Sequence, residues 1–422
     1  GFQAQHDETK IHMDEAGGYI LCPTVDDPIG EWRIHLQRLR VEGLNPDQTL
    51  RRALPAVVRT TVNALNPRGK VSLDGMLELR GTRRSTDPVT AAWNVITIAS
   101  GATISTGVEL ANVNGQVKSW GSWDGHNVEV HGWVDLFSIY GFSHQFTYIH
   151  GPFKLENQDL IVGSEKAFVD LPAGATAIPD KERMTAQFVR GTIQLDATAH
   201  LDADKTRYRV KAAINNASLG EYARLYIPSQ GSLRGVMNGW VDLSANSPNP
   251  KDVTGRGQLR IHPAALYELP VFVQILKAFS FAPQNNTAFN YALATFSVGK
   301  REVYFREIDL MGDAISLHGR GSARFDGALQ LTFYSRPASA WQRSPFRDLV
   351  NSFGQGWLGV RVTGTVQQPR AVTTGLPQMD DALRKFLDAF NQRPGGLPPI
   401  TPPWMYPASP VGNNPQPAND TR

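Results

Sequence analysis

The sequence has a single cysteine, Cys22, so no internal disulfide can form and no thiolate cluster can hold a metal. It has no apolar run near the roughly 18 residues of a membrane helix, and no signal-peptide pattern is found in these residues. It also lacks an excess of one charge: 42 Lys+Arg against 39 Asp+Glu leave a net +3. No basic run compensates, so neither the whole chain nor a segment carries the field that nucleic acid requires. There is no H-E-x-x-H, no G-x-S-x-G and no Cys–His arrangement, which removes the familiar zinc, serine and thiol enzyme signatures. These absences point to a non-enzymatic protein without cofactor or metal. The chain starts at Gly1 in what reads as mid-strand, "FQAQHDETKIHM", and is expected to be a piece of a longer protein.

Glycine and proline are plentiful, 38 and 28 in 422 residues, and they punctuate stretches that alternate apolar and polar. Period-two alternation runs through 31–43, 69–81, 125–136, 191–204, 206–215, 302–312 and 357–366. It predicts antiparallel sheet with one apolar face, because a parallel α/β sheet would show continuous apolar runs. Helices are few. One is expected over 47–65, capped by Asp47 and kinked at Pro55, others over 264–281 and 379–390, and shorter pieces near Gly220–Leu225 and Phe346–Phe353. A helical or Leu-rich segment followed by a glycine and an alternating strand recurs at irregular spacing, a style of construction rather than a fixed-period solenoid. The loop 169–182 divides a strand-rich region, 1–168, from a second, 183–390. The Pro/Gly/Asn-rich tail, 391–422, lacks apolar content for a core and reads as flexible.

"SLHGRGSARFDGALQLTFYS", 316–335, holds a G-x-G. A phosphate loop needs a following helix, and here Ala323, Phe325, Leu329, Leu331 and Phe333 alternate around Asp326-Gly327 instead. That is the pattern of a hairpin with a two-residue turn, both turn positions at positive φ. Gly319 and Gly321 then become small residues on a curved strand. Asp124-Gly125 reads the same way, and Asp74-Gly75 as either a turn or a bulge. His126 and His131 fall on opposite faces of a strand. His144 and His150 share a parity but lack accompanying carboxylates, so no metal site is expected. The adjacent carboxylates Asp26-Asp27 and Asp380-Asp381 read as a turn and a helix start. Aromatics crowd 120–148, as core or groove lining in preference to a stacking platform.

Three stretches, "GRGQLRIHPAALYELPVFVQIL", "FNYALATFSVGKREVYFREIDLMGDAISLHGRGSARFDGALQLTF" and "WLGVRVTGTVQQPRAVTTGLPQMDDALRKFL", resemble the C-terminal region of bacterial AsmA-like proteins. That group is related to TamB, YhdP and bridge-like lipid transfer proteins. The matching features are Leu269-Pro270, Gly319 to Gly327, and Val362 to Pro369, in that order. The likeness covers about 190–390 and extends more loosely into the first half.

The resemblance implies an elongated, strongly curved antiparallel sheet, open along one side, with an apolar concave face. It also implies periplasmic location, an inner-membrane anchor preceding this chain, envelope protein partners, and phospholipid or another acyl-chain lipid carried in the groove in support of outer-membrane assembly. Lining candidates are Val210, Ala212 and Ile214 from one strand and Leu329, Leu331 and Phe333 from another. Alternation alone leaves open whether such a face is a groove or the inside of a sandwich. The competing reading is a structural or adhesive β-rich surface protein that binds protein or glycan partners.

Overall fold

Side chains that alternate in polarity stabilise a strand only when one face is shielded and the backbone is paired on both sides. In the computed structural model nearly every alternating stretch meets the second condition. The structure describes residues 2–374 outside 7–8, 14–16, 24–29, 55–58, 60–61, 64, 85–86, 106–108, 170–177, 202–205, 228–232, 248, 250–251, 266–273, 276–288, 313–314 and 338–357. The helices expected over 379–390 and near Phe346–Phe353, the Pro-rich tail, and Leu269-Pro270 lie outside the described residues.

Among the described residues twenty-one strands form one antiparallel sheet. The first group is β1 (Phe2–His6), β2 (Thr9–Met13), β3 (Gly18–Leu21), β4 (Trp32–Leu44), β5 (Val71–Gly81), β6 (Thr90–Ser105), β7 (Glu109–Trp123), β8 (Val128–Gly141) and β9 (His144–Glu156). β2 and β3 share the outer edge of β4, and from β4 each strand pairs with the next. The centre holds β10 (Asp159–Val162), β11 (Met184–Phe188) and β12 (Gly191–His200). Both β10 and β11 lie between β9 and β12, so hydrogen bonding crosses the 169–182 loop without a break.

The meander continues through β13 (Arg207–Ser218), β14 (Arg234–Ala245), β15 (Thr254–Ala265), β16 (Tyr291–Gly299) and β17 (Glu302–Met311). It ends with β18 (Ile315–Arg324), β19 (Leu329–Pro337), β20 (Leu358–Gly364) and β21 (Pro369–Thr374). Among the described residues β1 pairs only with β2 and β21 only with β20, so the sheet is elongated and does not close into a barrel.

The connections are asymmetric. Strand direction puts the long links β4–β5, β13–β14, β15–β16 and β19–β20 on one long edge, together with the two-residue turns at Phe142-Ser143 and Val189-Arg190, and shorter links on the other. Helices α1 (Gln48–Ala53) and α2 (Leu219–Tyr226) both sit on the first edge, here the helical edge. Asp47 caps α1, its carboxylate accepting the Leu50 N–H at 2.9 Å. The helix expected over 47–65 is broken ahead of Pro55, at Leu54, which is extended (ψ 147) as the residue before a proline prefers, and Arg59, Val62, Asn63 and Leu65 are helical again beyond the break. α2 is capped by Ser218, which accepts from the Glu221 N–H at 3.2 Å.

The hairpins correct one expectation. At Asp326-Gly327 only Gly327 has positive φ, and the link spans 325–328, with Asp326 Oδ1 accepting the Ala328 N–H. Asp124-Gly125 also has one positive φ, at Gly125. Turns with two adjacent positive-φ residues occur at Phe142-Ser143, Val189-Arg190 and Lys300-Arg301, sequences with no Asn-Gly or Asp-Gly signal. There the register of the flanking strands imposes the turn. Asp74-Gly75 is not a turn, because β5 runs through it.

In the β7–β8 loop the backbone N–H of Asn127, then that of His126, hold the Asp124 carboxyl down at about 2. Its folded value lies below the ordinary 3.8, so the folded chain releases this proton more readily than the unfolded one. The contribution to stability is therefore complete above pH 3.8 and lost as pH falls through about 2. A carboxyl NMR titration should place the Asp124 midpoint near 2; a midpoint at the ordinary value would mean these loop hydrogen bonds do not form in solution.

The junction of β10, β11 and β12 carries a buried ion pair. Arg183 and Asp196 are 2% and 0% exposed and bonded directly. Asp196 Oδ1 also accepts the Ser164 N–H at 2.9 Å. Lys211 donates to the Ala167 carbonyl at 2.7 Å beneath the short 3-10 turn Glu165–Phe168. Burial pushes the Asp196 carboxyl upward, while the Ser164 N–H and the Arg183 and Lys211 cations pull it the other way.

Candidate functional site

Residues directly opposite each other in an antiparallel ladder share a face, so side chains can be followed from strand to strand. One row runs Val210, Leu243, Gly255, Val298, Val303, Ala323, Leu329. The next runs Ala212, Val241, Gly257, Phe296, Phe305, Gly321, Leu331, Val362. A third runs Ile214, Gly239, Leu259, Ala294, Ile308, Gly319, Phe333, Val360. Every member is apolar or glycine. The two trios of lining candidates thus lie in the same three rows, separated by five strands.

The face continues toward the N-terminus. Ala197, Leu195 and Ile193 stand opposite Val210, Ala212 and Ile214. Beyond β9 it is carried by Val130, Val134 and Leu136, by Val117, by Trp93 and Val95, by Leu73, Leu77 and Leu79, and by Ile34 and Leu36. The opposite face carries ion pairs such as Arg40–Asp74 at 3.0 Å and Lys154–Glu156 at 2.6 Å.

Cover over the apolar face is uneven. Val210, Ala212 and Ile214 are half-buried, as are Leu77, Val95, Val117 and Val134, the state of a sheet face that water still reaches. Leu329, Leu331 and Phe333 are 7%, 6% and 1% exposed. They belong to a buried cluster with Leu219 and Ala223 of α2, Leu233 and Ile275. That trio, expected as open lining, is therefore buried: Leu219, Ala223, Leu233 and Ile275 share its cluster and Ile214 packs against it, where Val210 and Ala212 remain outside. A smaller buried cluster, Ala102, Val113 and Leu136, lies toward the helical edge of β6–β8.

Five glycines shape the floor. Gly81, Gly121, Gly132, Gly257 and Gly319 each stand directly opposite an aromatic: Trp32, Trp93, Phe153, Phe296 and Phe333. A Cβ on any of them would come within 2.2–2.8 Å of that ring, so the ring lies down over its glycine. Such a ring covers the backbone without standing up as a barrier across the face. Gly319, from the G-x-G that imitates a phosphate loop, is one of these seats. No sequence signal marks the five pairs, because a pair is visible only once the register is known, and bulges shift the register in β4, β6–β8 and β13–β18.

The histidines separate by the same logic. Tyr148 has a φ of 49, which breaks the alternation of β9. His144 therefore lies against Phe188, Tyr222 and Tyr226, with Nε2 3.2 Å from the Tyr222 hydroxyl. His150 meets Trp133 and stands 3.8 Å from Asp135. Their shared sequence parity does not place them together. The Tyr226 hydroxyl accepts the Gln145 N–H at 3.1 Å, so α2 is tied across to β9. Among the described residues no three His, Cys, Asp or Glu side chains gather as a metal site, and no described helix is long and apolar enough to cross a membrane.

Comparison of the chain with protein-family models, curated proteins and solved structures finds no match in any of the three.

Proposed function

We propose that this chain is a non-enzymatic lipid carrier that binds acyl chains along its apolar face and conducts them between membranes of a cell envelope. One observation carries the reading: a single apolar face runs in register across the sheet and stays half-exposed over most of its length. Exposed apolar surface on this scale marks an interaction site in a soluble protein. An acyl chain matches it physically, because each methylene removed from water contributes about 0.8 kcal/mol and needs no directional partner. The resemblance to AsmA-like proteins supports the same assignment, with phospholipid as cargo, a periplasmic location, an anchor in a preceding segment, envelope protein partners and a role in outer-membrane assembly.

Organic extraction and mass spectrometry of the purified chain should yield phospholipid or fatty acid in at least stoichiometric amount. Protein free of lipid that also fails to take up a fluorescent fatty acid would sink the reading.

A second reading, a surface protein that binds protein or glycan partners, has its own support on the β8–β9 hairpin. Phe137, Phe142 and Tyr148 are 69%, 67% and 64% exposed there. A glycan array tests it.

A further inference from the structure

The aromatics that crowd 120–148, expected as core or groove lining, are divided by the register between the two faces of the sheet. On β7 and β8 the apolar face takes Val117 opposite Val134 and Gly121 opposite Val130. Trp120 therefore stands opposite His131, and Trp133 opposite Lys118, on the face that carries the ion pairs. β9 adds Lys154 beside His131 and Pro152 beside Trp133. Trp120 is 42% exposed. Further along the same two strands, past Asp135 and His150, come the exposed rings of Phe137 and Tyr148. None of these rings is part of the acyl-chain track.

Both indoles are held in place by a neighbouring strand. The Trp120 ring lies 15° from parallel with the His131 ring, with 6.2 Å between centroids. Trp133 meets the His150 ring edge-on at 4.9 Å, its Nε1–H 3.1 Å from Nδ1. The charges around them are closed among themselves. Lys154 bonds Glu156 at 2.6 Å, and His131 Nε2 is 2.9 Å from Glu129. Asp135 accepts from Gln116 at 3.3 Å and stands 3.8 Å from His150. Two lysines, Lys118 and Lys154, against three acids, Glu129, Asp135 and Glu156, leave one net negative charge, so the patch selects neither a polyanion nor a polycation. The Trp120 N–H, the Lys118 ammonium and the Tyr148 hydroxyl have no partner among the described residues and are open to a hydrogen-bonding ligand.

We infer that this face of β7–β9 binds a neutral, β-1,4-linked polysaccharide, laid across Trp120 and Trp133 with its hydroxyls against Gln116, Lys118 and Glu129. A sugar ring presents a C–H face to an aromatic ring and a rim of hydroxyls to the groups beside it. Rigid rings with polar edges supply that contact at low entropic cost. The face is open strand surface, with successive side chains about 7 Å apart along each strand, which suits an extended ribbon better than a compact small molecule. A protein partner would call for a contiguous apolar patch, and Lys118, Asp135 and Lys154 interrupt this one. The site deepens the glycan reading of the β8–β9 hairpin. Because the acyl-chain track lies on the other face, it adds to that track without depending on it.

Isothermal titration of the full chain with cellohexaose, chitohexaose and maltohexaose decides the matter. At least one of the two β-1,4-linked hexasaccharides should bind about tenfold more tightly than the α-1,4-linked maltohexaose. Trp120→Ala/Trp133→Ala should cost about tenfold or more of that affinity, and Trp120→Phe/Trp133→Phe, which keeps a ring at each position, should retain most of it. If the alanine pair fails to fold, Trp120→Ala alone, at the more exposed ring, should still weaken binding severalfold. Co-purifying lipid should be the same in every folded variant as in wild type. No binding of either β-linked hexasaccharide at millimolar concentration would overturn the inference, as would equal affinity for maltohexaose or full affinity in the folded alanine variants. Dextran sulfate binding more tightly at the same tryptophans, and released by salt, would make this a polyanion site and overturn it too. Lipid content that falls together with glycan affinity would place the rings in the acyl-chain track, against this assignment. Wild-type chain that carries no lipid yet binds the hexasaccharide supports the glycan face and removes the lipid carrier.

Discussion

Asp196→Ala is expected to destabilise the fold by about 3–5 kcal/mol, because it leaves the Arg183 guanidinium buried without its counter-charge. Arg183 is 2% exposed, and its Nε already has no partner, so no second acceptor is at hand to take up the charge. The substitution also strands the Ser164 N–H that Asp196 Oδ1 accepts. A lowered urea midpoint with an unchanged slope is the expected reading. Arg183→Met/Asp196→Leu should recover most of the loss, since removing both charges removes the desolvation penalty together with the attraction. A midpoint for Asp196→Ala within error of wild type would mean that water reaches Arg183. The position matters for function as well, because this pair locks β10, β11 and β12 where the sheet passes from its first half to its second.

Ala212→Asp/Val241→Asp is expected to abolish lipid binding while sparing the fold. The two positions are directly opposed on β13 and β14, in the middle row of the apolar face. Both are half-buried, so each carboxylate can hold water without tearing open a sealed core. A chain lying on the face would have to strip that water or detour. Losing contact for about five methylenes removes about 4 kcal/mol, close to a thousandfold in affinity. Co-purifying lipid should fall to background, and the circular dichroism and urea midpoint should move little. Ser244→Asp/Thr254→Asp, an opposed pair on the polar face of β14 and β15, is the control and should retain lipid. Equal lipid content in both double variants would show that cargo does not use this face.

Alternation made much of the architecture legible. β4, β5, β8, β12, β13, β17 and β20 each fall within a residue or a few of an alternating stretch, because an amphipathic strand records in its own sequence which side is dry. The Asp47 cap and the break at Pro55 were legible too, being local backbone chemistry. Turn type was not: Phe142-Ser143 and Val189-Arg190 adopt positive φ because the flanking strands require it, and nothing in those residues announces it. Nor was the separation of His144 from His150, which depends on a single left-handed residue, Tyr148.

The sequence by itself determined that this chain forms antiparallel sheet with one apolar face, since side-chain period is a local property that survives any arrangement of strands. Only the tertiary structure decided that the strands join into one open sheet, that Val210, Ala212 and Ile214 lie in the same rows as Leu329, Leu331 and Phe333, and that the second trio is buried where the first is half-buried, with Ile214 packed against the second trio's cluster. Register is set strand by strand through bulges and turns that alternation does not announce, and cover comes from a cluster that joins Leu219 and Ala223 to Leu331 and Phe333, more than a hundred positions further on.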